Sequence, residues 1–220
     1  MNQRPPCMVV FEIFSIYLNN PSMGTASIIL ETNMSDELLD IVDDADLVIG
    51  QEMRSVVHQR GLQHRGVHAF LVTPENKLVV QQRGRRRETC PLALDCSVSE
   101  HVKAGEAYRK AVLRGLAEEL GIQSAKIHPL VKFRMDYGPD DKEICLLYEG
   151  QIDPSLLRMD PVEVERIDCY SLDELEGLIF AGQVSFSGWF VQLLRWYQRK
   201  SSELQVMKTY SKNRLLLPGH

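Results

Sequence analysis

Residues 100–122 of the 220-residue chain read EHVKAGEAYRKAVLRGLAEELGI and carry its clearest structural pattern. The pattern predicts a helix over about residues 106–120, since Gly121 stands where a glycine commonly ends a helix. At about 100° per residue, one side of this helix is apolar and the other presents Glu118 and Glu119 with a guanidinium. A solvated charged face would show the same pattern. Because adjacent carboxylates repel, however, a helix carries them more readily when a divalent cation lies between them.

Seven residues of this stretch stand at the spacing of a known motif: Glu106, Arg114, Leu116, Glu118, Glu119, Gly121 and Ile122. In register, they resemble the Nudix box, G-x5-E-x7-R-E-U-x-E-E-x-G-U, in which U is a bulky apolar residue. The resemblance implies the α/β class, with a Nudix-type α/β/α sandwich and a mixed central sheet over about residues 37–200. It also implies that Mg²⁺ (or Mn²⁺) is the cofactor, that Glu118 and Glu119 hold it and that Arg114 orients a carboxylate by a bidentate pair.

Two positions depart from the box. Its opening glycine is Glu100 here, and its first glutamate after Arg114 is Gly115. In Nudix hydrolases that glutamate is commonly a metal ligand or general base, so its loss predicts impaired hydrolysis. Glu143, on a later predicted strand, is the candidate that replaces it. If a missing carboxylate is the defect, Gly115→Glu should raise phosphate release.

The chain also resembles isopentenyl-diphosphate isomerases, Nudix proteins that lack the same glutamate and move a double bond. Their metal site uses three histidines, together with acidic residues from the box helix and a later strand. His64 and His101 fall where two of those histidines lie, and His58 lies one residue from the third. Taken singly, each histidine is as readily an ordinary hydrogen-bonded residue as a ligand. The acidic residues that match the isomerase ligand set are Glu119, Asp141 and Glu143.

The catalytic part of the isomerase resemblance is incomplete. Trp189, in the segment Phe186-Ser187-Gly188-Trp189, matches the tryptophan that stabilises a carbocation by cation–π attraction. The isomerases' catalytic cysteine falls at Ser99, and a hydroxyl is far less acidic than a thiol. Cys96 lies three residues away and would point to the other face of a strand.

The arginine-rich loop Arg83-Gly84-Arg85-Arg86-Arg87 is a candidate phosphate-binding segment. Such a loop is most often solvated, but beside a metal site its side chains could bind phosphate. The candidate substrate-binding residues are two arginines of this loop together with Lys103 and Trp189. The two arginines are Arg83 and Arg85. Trp189 and the aromatic residues that follow it also recur at helical spacing, which is more typical of helix packing.

The composition is that of an ordinary globular protein, with 44% hydrophobic and 25% charged residues. The net charge of -5 gives no indication of a nucleic-acid partner. Five scattered cysteines without a C-x-x-C pair favour a reduced, cytoplasmic protein. No run approaches the roughly 18 apolar residues that a membrane span needs. We therefore expect no membrane and no nucleic acid as partner, and a monomer or homodimer. The Nudix resemblance implies a small-molecule diphosphate as the partner.

Composition also divides the chain into three parts. Residues 1–33 are predicted to be a loosely attached arm or an upstream-start extension, with a packed strand as the alternative. By the resemblance, residues 34–205 are predicted to form the Nudix domain, and residues 206–220 a C-terminal tail. Within the domain, the patterns predict hairpins at 38–50 and 67–82, strands at 92–98, 129–135, 143–148 and 165–170, a helix capped by Ser171, and a helix at 187–201.

The combined prediction is a Mg²⁺-dependent Nudix hydrolase that cleaves a diphosphate linked to another group. The alternatives are an isopentenyl-diphosphate isomerase-like enzyme and a degenerate module that binds a diphosphate without turnover. The catalytic candidates are Glu143, Glu118 and Arg114. The metal-ligand candidates are Glu118, Glu119, His64, His101 and Glu143.

Overall fold

The protein is described by a computed structural model that covers residues 36–138 and 141–210. The predicted arm over residues 1–33 lies outside the described residues, as does the tail beyond residue 210. Within the described part, no helix is both long and apolar enough to cross a membrane.

The described residues form a mixed succession of strands and helices. In chain order they are β1 Leu38–Val42, β2 Val48–Met53, α1 Arg54–Arg60, β3 Gln63–Val72, β4 Leu78–Arg83, β5 Leu94–Asp95, β6 Val98–His101, α2 Tyr108–Leu120, β7 Ile127–Gly138, β8 Asp141–Gln151, a 3-10 turn at Pro154–Leu156, β9 Val164–Tyr170, α3 Leu172–Ala181, α4 Gly188–Tyr197 and β10 Gln205–Thr209.

A mixed sheet of eight strands forms the centre of the fold. Its main path runs β10-β7-β8-β3-β4-β5, with β6 also paired to β3 and β9 to β4. The β3–β8 pair is parallel, whereas β7–β8 and β3–β4 are antiparallel. The hairpin β1–β2 forms a separate small sheet.

Two apolar cores cover the two faces of the central sheet. On one face, Val112 and Leu116 of α2 pack with Val67 and Leu71 of β3. On the other face, Phe70 belongs to a core shared with α3 and α4. Because β3 is buried on both faces, its apolar residues form a continuous run instead of an alternating one. The predicted α/β/α sandwich with a mixed sheet is therefore confirmed.

The structure confirms the predicted ends of helices that depend on only a few neighbouring residues. Helix α2 ends at Gly121, whose φ of 70° is left-handed, and the Gly121 N–H bonds the last turn. Ser171 caps α3 in a full capping box with Glu174. Both hairpins are present as predicted.

Three elements differ from the prediction. The single strand expected at residues 92–98 is wrong, because β5 pairs with β4 and the separate strand β6 pairs with β3. Helix α1 was not predicted; it has seven residues and buries only Val57, too short an apolar pattern to recognise. Strand β10 reaches into the predicted tail and pairs with β7, although all five of its residues are exposed.

Candidate metal and diphosphate site

Three neighbouring strands bring the predicted ligands of the histidine site together at one of their ends. In the register of β3 with β8, His64 lies opposite Glu143, and in that of β3 with β6, Gly66 lies opposite His101. A glycine is required at position 66, since a Cβ there would lie 2.5 Å from Glu143 Oε2. The glycine thus leaves space for the carboxylate between the histidines.

The third histidine comes from the helix that the sequence did not predict. His58, in the last turn of α1, has its ring centroid 5.0 Å from that of His64 and 5.2 Å from that of His101. The His64 and His101 centroids are 5.1 Å apart. Each of the three offers a ring nitrogen, and these nitrogens lie within 4.8 Å of one another. His58 therefore joins the other two histidines, although it lies one residue from the position that the resemblance implies.

Two acidic side chains complete this cluster. Glu143 Oε1 lies 3.4 Å from His64 Nε2 and 3.6 Å from His101 Nε2. Asp141 Oδ1 lies 3.7 Å from His58 Nδ1 and 4.0 Å from His64 Nε2. We refer to His58, His64, His101, Asp141 and Glu143 as the histidine cluster.

The histidines of the cluster differ in their protonation. His64 Nδ1 lies 3.0 Å from the Leu62 carbonyl oxygen, which can only accept, so Nδ1 carries a proton and Nε2 faces the cluster. Burial opposes the charge of His64, but contact with Glu143 leaves the pKa of this imidazole raised. Burial lowers the pKa of His101 well below its usual range, which keeps that imidazole neutral. Burial opposes ionisation of Glu143, but the contact with His64 and the charges of the histidines hold the pKa of that carboxyl below its usual value. Imidazole nitrogens beside a carboxylate are a donor set that fits a divalent metal, which would replace the proton on His64 Nε2 when it binds.

We expect His101→Gln to weaken Co²⁺ binding by about 10- to 100-fold or more, because loss of even an outer partner of a metal ligand has effects of that size. The visible absorption of bound Co²⁺ measures the affinity directly. His128→Gln is the matched control, since His128 is a half-buried histidine on β7 that contacts Glu149 outside the cluster. Equal Co²⁺ affinity of the His101 variant and the native protein would contradict the assignment.

The box helix places its two adjacent carboxylates in different surroundings. The Glu118 side chain is 55% exposed and contacts Arg114, whereas Glu119 is only 2% exposed. Gln81 Nε2 donates to Glu119 Oε2 over 2.9 Å, and Glu119 Oε1 has no hydrogen-bond partner among the described residues. Burial, reinforced by the nearby carboxylate of Glu100, raises the pKa of Glu119 well above its usual range. Among the described residues, Glu119 does not belong to the groups of ligand atoms that lie within 4.8 Å of one another in the histidine cluster.

Arg114 organises the entrance to α2. Its Nε and Nη2 each donate over 3.2 Å to the two oxygens of Glu106, a bidentate pair. The same guanidinium donates to Glu100 over 2.8 Å, to the His101 carbonyl over 2.9 Å and to Glu118 over 3.1 Å. Arg114 thus connects the loop before the helix, strand β6 and the polar face of α2.

The predicted substrate-binding residues divide into a buried pair and an exposed pair. Arg83 and Trp189 are 6% and 7% exposed, and both donate to Asp95. Arg85 pairs with Glu165 and its side chain is 68% exposed. Lys103 is 41% exposed and lies 2.9 Å from Glu37.

Arg87 is a further basic residue near the site. Burial opposes its charge, but the carboxylates of Glu119 and Glu163 leave its pKa raised. The sequence showed Arg87 only as one member of an arginine-rich loop, with no spacing that set it apart from its neighbours.

The geometry at Gly115 contradicts one expectation from the sequence. A Cβ at this position would lie 2.6 Å from Val98 Cγ1 and 2.7 Å from Glu100 Cγ. Such contacts require the neighbours to shift. Gly115→Glu alone is therefore not expected to raise phosphate release.

Comparison with known proteins identifies the family. The NUDIX domain family matches residues 62–190, more than half of the chain. An uncharacterized Nudix hydrolase of Clostridium acetobutylicum is 31% identical over 168 residues, which cover 68% of this chain and 81% of the relative. The chain therefore belongs to the Nudix family.

Two further proteins are similar to this chain. The crystal structure of DR0079 from Deinococcus radiodurans superposes with a TM-score of 0.63 at 28% identity, covering 72% of this chain and 98% of that one. An isopentenyl-diphosphate Delta-isomerase of Bos taurus is 29% identical over 191 residues, covering 73% of this chain and 82% of the relative. The chain is thus similar to proteins of both the hydrolase and the isomerase type.

Proposed function

We propose that this Nudix protein is a divalent-cation-dependent hydrolase that cleaves a small molecule in which a diphosphate is linked to another group. The observation that carries the proposal is the Glu119 carboxylate, which is 2% exposed and keeps one oxygen without a hydrogen-bond partner among the described residues. Leaving a buried carboxylate oxygen unsatisfied is costly, unless a cation or ligand approaches it. Its position in the matched box supports the same assignment.

Mg²⁺ or Mn²⁺ fits the acidic side of this site, with Glu119 and Glu118 as the residues that would hold it. When bound, such an ion would supply charge neutralisation of phosphate oxygens and activation of water. Glu143 is the general base that the sequence predicts, and contact with His64 favours its ionised, proton-accepting form. It lies in the histidine cluster and not beside Glu118 and Glu119, so a substrate would have to reach both groups. Arg114 fixes the helix entrance through Glu106 and so positions Glu118 and Glu119 relative to that entrance.

Two exposed cations are suited to meeting the phosphates. Arg85 and Lys103 pair with Glu165 and Glu37, and exposed ion pairs of this kind are worth only about 0–1 kcal/mol. A dianionic phosphate could therefore replace these carboxylates at small cost. Arg83 and Trp189 act instead through their bonds to Asp95, which join the end of β4, strand β5 and the start of α4.

An isopentenyl-diphosphate isomerase-like activity is the second candidate, and the histidine cluster is the observation that favours it. The cluster gathers the three histidines and the acidic pair that the isomerase resemblance implies. The missing part is an acidic thiol. Ser99 Oγ bonds His68 Nδ1 over 3.0 Å, and burial raises the pKa of both Cys96 and Cys145 well above their usual range. With no thiol in the place of Ser99, hydrolysis is the better-supported function.

A substrate panel with Mg²⁺ or Mn²⁺ tests the proposal. We expect phosphate-containing products from at least one nucleoside diphosphate linked to a second group, and loss of turnover with chelator. Isopentenyl diphosphate is included, with native protein and Ser99→Cys compared side by side. Dimethylallyl diphosphate from the native protein would establish the isomerase instead. Tight diphosphate binding with no product from any substrate would contradict both enzymes and leave a binding module.

A further inference from the structure

The two departures from the Nudix box face each other in the folded protein. Glu100 lies on β6 and Gly115 on α2, and the two elements pack together. The Glu100 Cγ lies 2.7 Å from the position that a Cβ of residue 115 would occupy. The side chain that the box places on the helix is absent, and the side chain of Glu100, where the box has a glycine, fills its space.

The Glu100 carboxylate reaches the surroundings that a helix glutamate would reach. It accepts a hydrogen bond from Arg114 Nη1 over 2.8 Å, and its side chain is only 14% exposed. It also lies close enough to the neighbouring box carboxylate that, together with burial, it raises the pKa of Glu119. The positive charge of Arg87 acts on both carboxylates.

A second observation points to a ligand between these two carboxylates. Glu119 is 2% exposed, and its Oε1 has no hydrogen-bond partner within residues 36–138 and 141–210. Two carboxylates in contact repel unless a proton or a cation lies between them. Oxygen donors of this kind are the ligands that Mg²⁺ and Mn²⁺ prefer.

We propose that Glu100 supplies, from strand β6, the metal-binding carboxylate that Gly115 no longer supplies from helix α2, and that Glu100 and Glu119 together bind a divalent cation. The exchange is reciprocal: the glycine and the glutamate of the box have changed places across one packed contact. The cation site is separate from the histidine cluster. Only its catalytic consequence rests on the proposed hydrolase function.

The charge of Glu100 is tested first with Glu100→Gln. The amide keeps the size of the side chain and an oxygen that accepts from Arg114, so the fold should be retained. We expect Mn²⁺ affinity at this site to fall at least about tenfold, as for removal of a partner of a metal site. Electron paramagnetic resonance of free Mn²⁺ measures it, in a His101→Gln background that removes a histidine-cluster ligand. Glu176→Gln on the exposed face of α3 is the matched control and should leave the affinity unchanged.

The exchange itself is tested by moving the carboxylate back to the helix. Glu100→Gly should lose Mn²⁺ affinity, and Gly115→Glu alone should lower the melting temperature through its contacts with Val98 and Glu100. The double variant Glu100→Gly/Gly115→Glu has a glutamate on the helix and space beside it, so its Mn²⁺ affinity should return to within about threefold of the native value.

Two results would overturn the proposal. One is unchanged Mn²⁺ affinity in Glu100→Gln. The other is a double variant that melts like the native protein yet binds Mn²⁺ as weakly as Glu100→Gly. The outcome is distinguishable from that of the hydrolase proposal. If Mn²⁺ binding depends on Glu100 but no diphosphate is turned over, only the hydrolase proposal is contradicted. If Glu100→Gln leaves hydrolysis unchanged, only the role of Glu100 is contradicted.

Discussion

Glu119→Gln is expected to lower turnover of a diphosphate substrate by at least about 100-fold and to weaken Mn²⁺ binding in parallel. The amide retains the oxygen that accepts from Gln81 Nε2, and it fits the same buried space. It loses the negative charge that the cation needs. Stability should change little or rise slightly, because burial already disfavours the charged form of this side chain.

The measurement combines steady-state kinetics with Mn²⁺ titration and thermal melting of the same samples. Glu174→Gln would disturb the α3 cap and is unsuitable as a control. Glu176 is exposed, and among the ion pairs of residues 36–138 and 141–210 it contacts only Lys200. Glu176→Gln should therefore match the native protein in all three measurements. If the Glu119 variant keeps the native turnover and metal affinity, the assignment of the box helix α2 to the site is wrong.

Asp95→Ala is expected to destabilise the protein by about 3–5 kcal/mol, the largest stability effect that the fold predicts. Asp95 has no exposed surface, and its carboxylate accepts from Arg83 Nη1 over 2.7 Å and from Trp189 Nε1 over 2.6 Å. Removing it leaves the Arg83 guanidinium buried without its counter-charge. The other donors that lose their acceptor are the Cys96 N–H and the hydroxyls of Ser99 and Ser187.

Urea unfolding of four proteins separates the buried charge from lost packing. They are the native chain, Asp95→Ala, Arg83→Met and the double variant. Because the double variant buries no uncompensated guanidinium, it should be more stable than Asp95→Ala alone. Glu176→Ala, which breaks an exposed pair with Lys200, should cost less than about 1 kcal/mol. If Asp95→Ala costs less than about 1 kcal/mol, the buried pair of Arg83 and Asp95 does not stabilise the fold.

The sequence predicted those features whose signals are local along the chain. The end of α2 depends on one glycine in a left-handed conformation, and the start of α3 on Ser171 and Glu174 within a single turn. The hairpins depend on turn residues between apolar runs. Each of these is decided by backbone geometry over a few residues, so a pattern of the same length contains the information. The box spacing likewise predicted the Nudix family. In a helix, residues at a fixed spacing along the chain lie on the same face, so the spacing alone contains the arrangement.

The remaining features depend on contacts between residues far apart in the chain. His58 joins His64 and His101 only in the folded chain, where α1 brings it to the ends of the paired strands β3, β6 and β8. All residues of strand β10 are exposed, so the sequence shows no buried apolar pattern there. Only the pairing with β7 defines this strand.

Most clearly, Glu100 and Gly115 read along the chain as two separate losses from the box. The packing of β6 against α2 makes them one exchange, since the Cγ of Glu100 lies 2.7 Å from the position that a Cβ of residue 115 would occupy. No local pattern contains that distance, because strand register and helix packing set it. The sequence by itself determined which carboxylate the helix lacks, and only the tertiary structure decided which side chain stands in its place.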